Sequence, residues 1–256
     1  MKKYQEWTFE VHESLSSTSD RCFDYLSSEK DGIIAVIAHH QTSGRGTHNR
    51  QWQTPAGNLA FSFTLRSNSP LDCFSFRFSE SQQFIQALPY IMALSVFEVI
   101  RELLLPDQRS LLSIKWPNDI LWKGKKISGI LIESSFSADV ANIVIGIGMN
   151  VCSSPKISGR SLTSIKEIGA VPIPVIDLAK KILSESKNWF SCWKVGRFPA
   201  IRREWLSRTC SLGTILEMGT GKSRMRGAFM GITDAGHLML KDCNGKVISF
   251  VTTEIR

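Results

Sequence analysis

Several familiar devices are missing from this chain of 256 residues. Its six cysteines (Cys22, Cys73, Cys152, Cys192, Cys210 and Cys243) include no C-x-x-C pair, which argues against a zinc knuckle or a disulfide framework. They read as reduced, cytosolic thiols. The five histidines include His39-His40 but no H-x-x-x-H spacing, so no helical metal site is expected. No apolar run approaches the ~20 residues of a membrane span. The opening MKKYQEWTFEVHES has two lysines with no apolar stretch behind them, so no signal peptide is expected. A cytoplasmic protein with no membrane partner follows. No internal repeat and no low-complexity tract is visible. The net charge is +8, yet the basic residues are scattered with no run longer than two, a weak pointer to nucleic acid. Hydrophobic content of 43% and charged content of 21% suit one large domain, or one with a small companion.

What is present concentrates in three segments. Residues 115–133 read KWPNDILWKGKKISGILIE. The residue before a proline favours extended backbone, so Lys115-Trp116 is predicted as strand. Asn118 and Asp119 suit a turn. A short strand, Ile120 to Trp122, then a basic turn at Gly124, then a strand from Ile127 to Glu133 complete a hairpin. Lys126 stands at its mouth and Gly129 lies within it, where a strand glycine marks close approach of a backbone or ligand. The pattern presents a lysine, a carboxylate and bare backbone to something small and anionic. On spacing alone, a solvated surface hairpin fits equally well.

Residues 41–66 read QTSGRGTHNRQWQTPAGNLAFSFTLR. Gly44 and Gly46 flank Arg45, and His48, Arg50 and Trp52 follow. Glycines let a loop fold tightly around an anion, and arginine grips phosphate or carboxylate through paired hydrogen bonds. Trp52 offers a stacking surface. An RNA-binding basic loop is the alternative. Leu59, Phe61, Phe63 and Leu65 alternate with Ala60, Ser62, Thr64 and Arg66, which predicts a half-buried strand behind a ligand flap. The third segment, Val144 to Val151, is an apolar strand carrying Gly146 and Gly148, closed by Asn150. It reads as a buried strand with a bulge. It lacks the third glycine and following helix of a dinucleotide fingerprint.

In this order, QTSGRG…R-x-W, KWPNDI…K-K-x-x-G-I-L-I-E and G-x-G-x-N resemble the biotin–protein ligase family, also called biotin–[acetyl-CoA-carboxylase] ligases. Ser17-Thr18-Ser19 matches the family's Ser-Thr-Asn/Ser site. The resemblance runs from about residue 12 to the C-terminus. It implies an α+β fold: a mixed sheet flanked by helices, of the class II synthetase and biotin ligase type, over residues 1–207, then a small SH3-like β-barrel over 208–256. It implies an ATP-dependent enzyme that forms biotinyl-5′-AMP and transfers biotin to a lysine of a biotin carboxyl carrier protein, the acetyl-CoA carboxylase subunit. With Ser17 so near the start, the resemblance is to the monofunctional form without an N-terminal DNA-binding domain, so no DNA partner is expected. Monomer and homodimer are both open.

The resemblance also assigns residues. Lys126 and Arg45 are the implied catalytic pair. Ser17, Thr18, Ser19 and Gln41 match positions that bind the biotin ureido ring, with Gly44, Arg45, Gly46, Thr47, Trp52, Lys126, Gly129, Ile130 and Leu131 completing the biotin cleft. Arg45, Arg50, Asn118, Asp119, Lys126, Gly146, Gly148 and Asn150 match the nucleotide side. Substrates are ATP and biotin with Mg²⁺, for which Asp119 is the candidate ligand. The sequence departs from the family loop G-R-G-R-x-G-R-x-W, since Thr47 replaces the second arginine and Asn49 a glycine. Two other functions remain: a lipoate or octanoate ligase of the same fold, and a non-catalytic basic RNA-binding protein.

Periodicity fills in the remainder. A helix is predicted from near Ser19 with Cys22, Phe23 and Leu26 inward, then a strand over 33–38. Residues 67–83 read as a long exposed connection. A helix over 87–104 has Pro89 in its first turn. A helix over 178–193 has Asp177 as N-cap and Ala179, Ile182, Leu183, Phe190 and Trp193 inward. After 209, short runs at 214–217, 226–232, 238–240 and 247–251, split by Asp234-Ala235-Gly236 and Asn244-Gly245, predict short strands.

Overall fold

A computed structural model describes residues 7–28, 34–47, 50–67, 76–219 and 225–251. His48, Asn49, Cys73, Ile33 and residues 68–75 of the expected 67–83 connection lie outside them, while 78–80 form a short 3-10 helix.

The larger sheet has seven strands. They are β1 (Thr8–Leu15), β2 (Ile34–Gln41), β3 (Leu59–Arg66), β4 (Leu112–Lys115), β5 (Asp119–Trp122), β6 (Lys125–Ser137) and β7 (Val140–Met149). Their order is β1-β2-β3-β7-β6-β5-β4, with β1 and β2 parallel and every other pair antiparallel. The expected mixed sheet is therefore present. Helix α1 (Thr18–Ser27) crosses from β1 to β2 and covers one face. Helices α2 (Ser81–Leu103) and α3 (Val175–Leu206) cover the other.

Because successive side chains point to opposite faces, each central strand feeds two cores. Ala35, Ile37, Phe61 and Phe63 pack in the large core beneath α2 and α3. Ile34, Val36 and Val144 pack with Cys22 and Tyr25 in a small one beneath α1. This corrects the half-buried reading of 59–66: Leu59 to Leu65 are buried throughout. The alternation reports hydroxyls rather than solvent. Ser62 and Thr64 are buried and hydrogen-bonded on the α1 face.

The start of the first helix near Ser19 holds to within one residue, and two further expectations shift. Helix α1 starts at Thr18, capped by Ser17, whose side chain accepts from the Ser19 amide. Helix α2 starts at Ser81 rather than 87, so Pro89 lies in its interior. A mid-helix proline costs about 3 kcal/mol. Burial of Phe84, Ile85 and Leu88 around it is large enough to offset that. Helix α3 starts after Pro174, not at an Asp177 cap, and runs on past 193 through a break at Arg197 (φ 50°) just before Pro199. All five residues expected inward on it are buried. By length and composition alone Phe78–Leu103 is apolar enough to cross a membrane, but 83% of its most apolar 18-residue window is buried within the fold, the position of a core helix.

The C-terminal segment forms a four-stranded antiparallel sheet, order β11-β10-β9-β8. Its strands are β8 (Ile215–Met218), β9 (Met225–Ile232), β10 (Leu238–Lys241) and β11 (Val247–Phe250), each within two residues of its predicted bounds. Ile114 bridges Thr209 in parallel, so the chain leading into this sheet runs along β4.

Candidate active site

The sheet's register lays a row of small residues across four strands. Asp119 pairs with Gly129, Gly129 with Gly148, and Gly148 with Ala60. The next row sets Leu131 against Gly146 and Gly146 against Ser62. These rows make a bare floor, and side chains lie close over it where a Cβ on each glycine would stand, most tightly at Gly148. At Gly148 a Cβ would lie 2.1 Å from the Trp52 ring. At Gly129 it would lie 2.7 Å from Lys126 Nζ, and at Gly146 3.0 Å from Ser19 Oγ. The ladders on both sides of β7 run without a shift, so the bulge expected there is absent. A register shift falls instead between Ile120 and Leu121 on β5, opposite 126–128 of β6. Bulges re-aim neighbouring side chains, and this one adjoins Lys126.

Above the floor, the start of α1 supplies neutral polar groups. The Thr18 amide and hydroxyl donate to Gln41 Oε1 at 2.9 and 3.2 Å. Ser62 Oγ lies 2.7 Å from Thr18 Oγ1 and 3.1 Å from Ser19 Oγ. Gln41 Nε2 donates to Thr54 at 3.3 Å. The Gly44–Trp52 loop folds back as a small hairpin: Arg45 bridges Gln51, and the Trp52 amide donates to the Gly44 carbonyl at 2.8 Å. Arg45 is not free in that loop. Its guanidinium holds Asp20 at 2.5 Å and Glu133 at 3.2 Å. Burial works against its charge, but the bond to Asp20 and the field of Glu133 outweigh this and raise its pKa.

Two cavities meet here. The first, about 490 Å³ of empty space, is lined by Ser17, Thr18, Ser19, Gln41, Arg45, Gly129, Ile130, Leu131, Gly146 and Gly148 among others. The second is about 1460 Å³ and is lined by Arg50, Lys115, Asn150 and the 155–162 loop. Gly46, Thr47, Trp52, Asp119 and Lys126 line both. Lys126 Nζ lies 2.6 Å from Asp119 Oδ1 and 5.6 Å from the Trp52 ring centre. The small polar cavity and the large basic one therefore share a wall with a cation in it.

Most expected site residues converge at this place. Gly44 supports the loop from behind, where a Cβ would lie 2.5 Å from the Trp52 carbonyl. Asn118 is buried and donates to the Ile130 carbonyl at 2.5 Å, fixing the turn to β6, and lines neither cavity. Trp116 belongs to the turn, not to β4. Lys123 and Gly124 both have positive φ, the geometry of a tight hairpin turn that places Lys125-Lys126.

Sequence reasoning missed Ser62 and the 155–162 loop with Lys115 and Arg160. Ser62 was hidden in an alternation that resembled a solvent face. Just after the loop, Ser164-Ile165-Lys166-Glu167 has the spacing of a capping box and opens a turn. The Ser164 amide donates to Glu167 at 3.0 Å, the Glu167 amide donates to Ser164 Oγ at 3.2 Å, and Ser154 and Thr163 also bind the carboxylate. Burial pushes the Glu167 pKa up, but the bonds from Ser154, Thr163 and Ser164 prevail and hold it below the ordinary 4.5. No cluster of three or more metal-binding side chains occurs among the described residues.

Residues 11–150 match the family described as the biotin/lipoate A/B protein ligase family. The chain is 32% identical over 231 residues to a biotin–[acetyl-CoA-carboxylase] ligase of Paracoccus denitrificans, covering 85% of this chain and 88% of that protein. It is 30% identical over 240 residues to the bifunctional ligase/repressor BirA of Bacillus subtilis, covering 91% of this chain and 69% of that one. Among solved structures it resembles the biotin protein ligase of Leishmania major in complex with biotinyl-5-AMP, with a TM-score of 0.65, 25% identity, and 96% and 99% coverage. The fold is also that of the biotin protein ligase of Aquifex aeolicus in complex with biotin and ATP, with a TM-score of 0.75, 24% identity, and 96% and 97% coverage. The chain belongs to the biotin/lipoate A/B protein ligase family, and within it to the biotin–protein ligases.

Proposed function

We propose that this ATP-dependent ligase binds biotin in the small cavity and ATP in the large one, and joins them across Lys126. A biotin carboxylate oxygen attacks the α-phosphorus, pyrophosphate leaves, and biotinyl-5′-AMP remains. The ε-amine of a lysine on a biotin carboxyl carrier protein then attacks the carbonyl carbon, and AMP leaves. Neither step needs a nucleophile from the enzyme. Both need fixed positive charge where negative charge gathers, and a dry site for the mixed anhydride. The observation that carries this reading is Lys126 on the wall common to both cavities.

The other residues take roles by chemistry. Thr18, Ser19, Gln41 and Ser62 offer neutral donors and acceptors, which suit a ureido ring better than a plain acyl chain. Gly129 leaves room for Lys126 to lie over the floor, and Gly148 leaves room for the Trp52 ring. Arg50, Lys115 and Arg160 line the large cavity, and their charge suits a triphosphate. Asp119 is one carboxylate, already paired with Lys126, and among the described residues no group of three metal-binding side chains includes it. That suits a Mg²⁺ ion carried in by triphosphate and not one held by protein alone. The ion's contribution would be to neutralise phosphate charge. We further read residues 1–207 as the catalytic domain and 208–256 as an SH3-like barrel, and place the protein in the cytoplasm.

The test is incubation with ATP, Mg²⁺ and either biotin or lipoate, with mass spectrometry of the adenylate. Biotinyl-AMP alone is the expected product. A lipoyl adenylate with no biotinyl adenylate would overturn the reading, as would steeply salt-dependent RNA binding without ATP turnover.

A further inference from the structure

We infer that Tyr90, Trp116 and Gly236 form a junction through which the C-terminal sheet positions Asp119, and through it Lys126. The inference rests on the ligase reading above. The turn between β9 and β10 closes on itself: the Gly236 amide donates to the Thr233 carbonyl at 2.9 Å, and the Thr233 amide to the His237 carbonyl at 2.8 Å. Gly236 has φ +80°, and its carbonyl accepts from the Tyr90 hydroxyl. A Cβ on Gly236 would lie 2.8 Å from that hydroxyl, so the position admits glycine alone. The Trp116 indole N–H, a donor with no acceptor capacity, is shared between Tyr90 Oη at 2.9 Å and the Gly236 carbonyl at 3.0 Å.

Each member is held from its own element. Tyr90 is buried on α2, with Phe198 and Trp205 of α3 edge-on to its ring at 5.2 and 5.5 Å. Trp116 opens the turn between β4 and β5, whose ends pair as Lys115 with Asp119. The same turn is held from below by Asn118 on Ile130. On the β4 side, the Ile114 amide donates to Arg208 at 2.8 Å and Thr209 Oγ1 donates to Ile114 at 2.8 Å. The C-terminal segment thus grips β4 and the first residue of the turn. Asp119, the first residue of β5 after that short turn, is the partner of Lys126. A shift of Trp116 moves Asp119 along the floor, and the lysine with it.

Trp116→Phe and the double variant Tyr90→Phe/Trp116→Phe keep the aromatic bulk and remove the hydrogen bonds. Biotin-dependent ATP–pyrophosphate exchange is expected to lose about three- to tenfold in kcat in Trp116→Phe, and more in the double variant. KM for biotin should change less than twofold. In an Asp119→Asn background, Trp116→Phe should add nothing, because the effect passes through that carboxylate. The NMR signal of the Lys126 ammonium should move in Trp116→Phe, a readout that needs no turnover. An unmoved signal, an unchanged kcat in the folded double variant, or an additive loss with Asp119→Asn would each overturn the inference. A wild-type protein that makes no biotinyl adenylate would instead count against the ligase reading, and the ammonium signal would still decide the junction.

Discussion

Lys126 Nζ lies 2.6 Å from Asp119 Oδ1, and the pair stands between the two cavities. The lysine neutralises the carboxylate until an anion arrives, and the carboxylate holds the lysine over Gly129. Replacing Lys126 by alanine removes the cation and leaves a bare carboxylate facing the phosphate. Losing one such preorganised donor costs about 3–4 kcal/mol of barrier. Lys126→Ala should therefore lower biotin-dependent pyrophosphate exchange by two to three orders of magnitude, with the circular dichroism spectrum unchanged. Near wild-type exchange in a folded variant would sink the assignment.

Arg45 gives a different signature. From sequence it had little to pack on, but the structure pairs it with Asp20 and Glu133. The pair is more than one third exposed, where ion pairs contribute about 0–1 kcal/mol. Arg45→Ala should shift the melting temperature by only a few degrees while adenylate formation falls about tenfold or more. A large drop in melting temperature with normal rates would make the residue structural.

Thr47 borders both cavities, at the position where the resembling family carries arginine. A charge-assisted contact is worth about 1.5–3 kcal/mol, or roughly ten- to a hundredfold in retention. Thr47→Arg is expected to slow the release of biotinyl-AMP and to reduce stray labelling of bystander lysines. Stopped-flow or filter-binding dissociation rates decide it; equal rates in the two proteins dismiss the idea.

Glu167 ties Ser154, Thr163 and Ser164 around the loop that walls the large cavity. Glu167→Gln should raise KM for ATP about three- to tenfold and leave biotin binding unchanged. The sign of its pH dependence follows from a pKa held below 4.5 in the folded state. The ordered loop favours the carboxylate, so the stabilisation is complete above that ordinary value and is lost as pH falls through the lower, folded one. A carboxyl NMR titration of Glu167 with its midpoint at or above 4.5 would contradict this.

The sequence by itself determined the chemistry that could be present and most of the elements that carry it. Local rules were enough for that. A Lys-Gly pair makes a tight turn, and glycines in strands mark close approach. These rules placed Lys126, Gly129 and the start of α1 to within a residue or two. Tertiary structure decided the rest, because it alone brings distant residues to one spot. Cross-strand register put Gly129 opposite Gly148 and Ser62 opposite Gly146. Packing against α1 turned Ser62 and Thr64 from an apparent solvent face into a buried polar one. Burial carried Pro89 into the interior of α2 against its local preference. Only the fold gave Arg45 its two carboxylates, and only the fold set Gly236 against Trp116, residues 120 apart in the chain. Pairings of that kind depend on geometry that no short window of sequence contains.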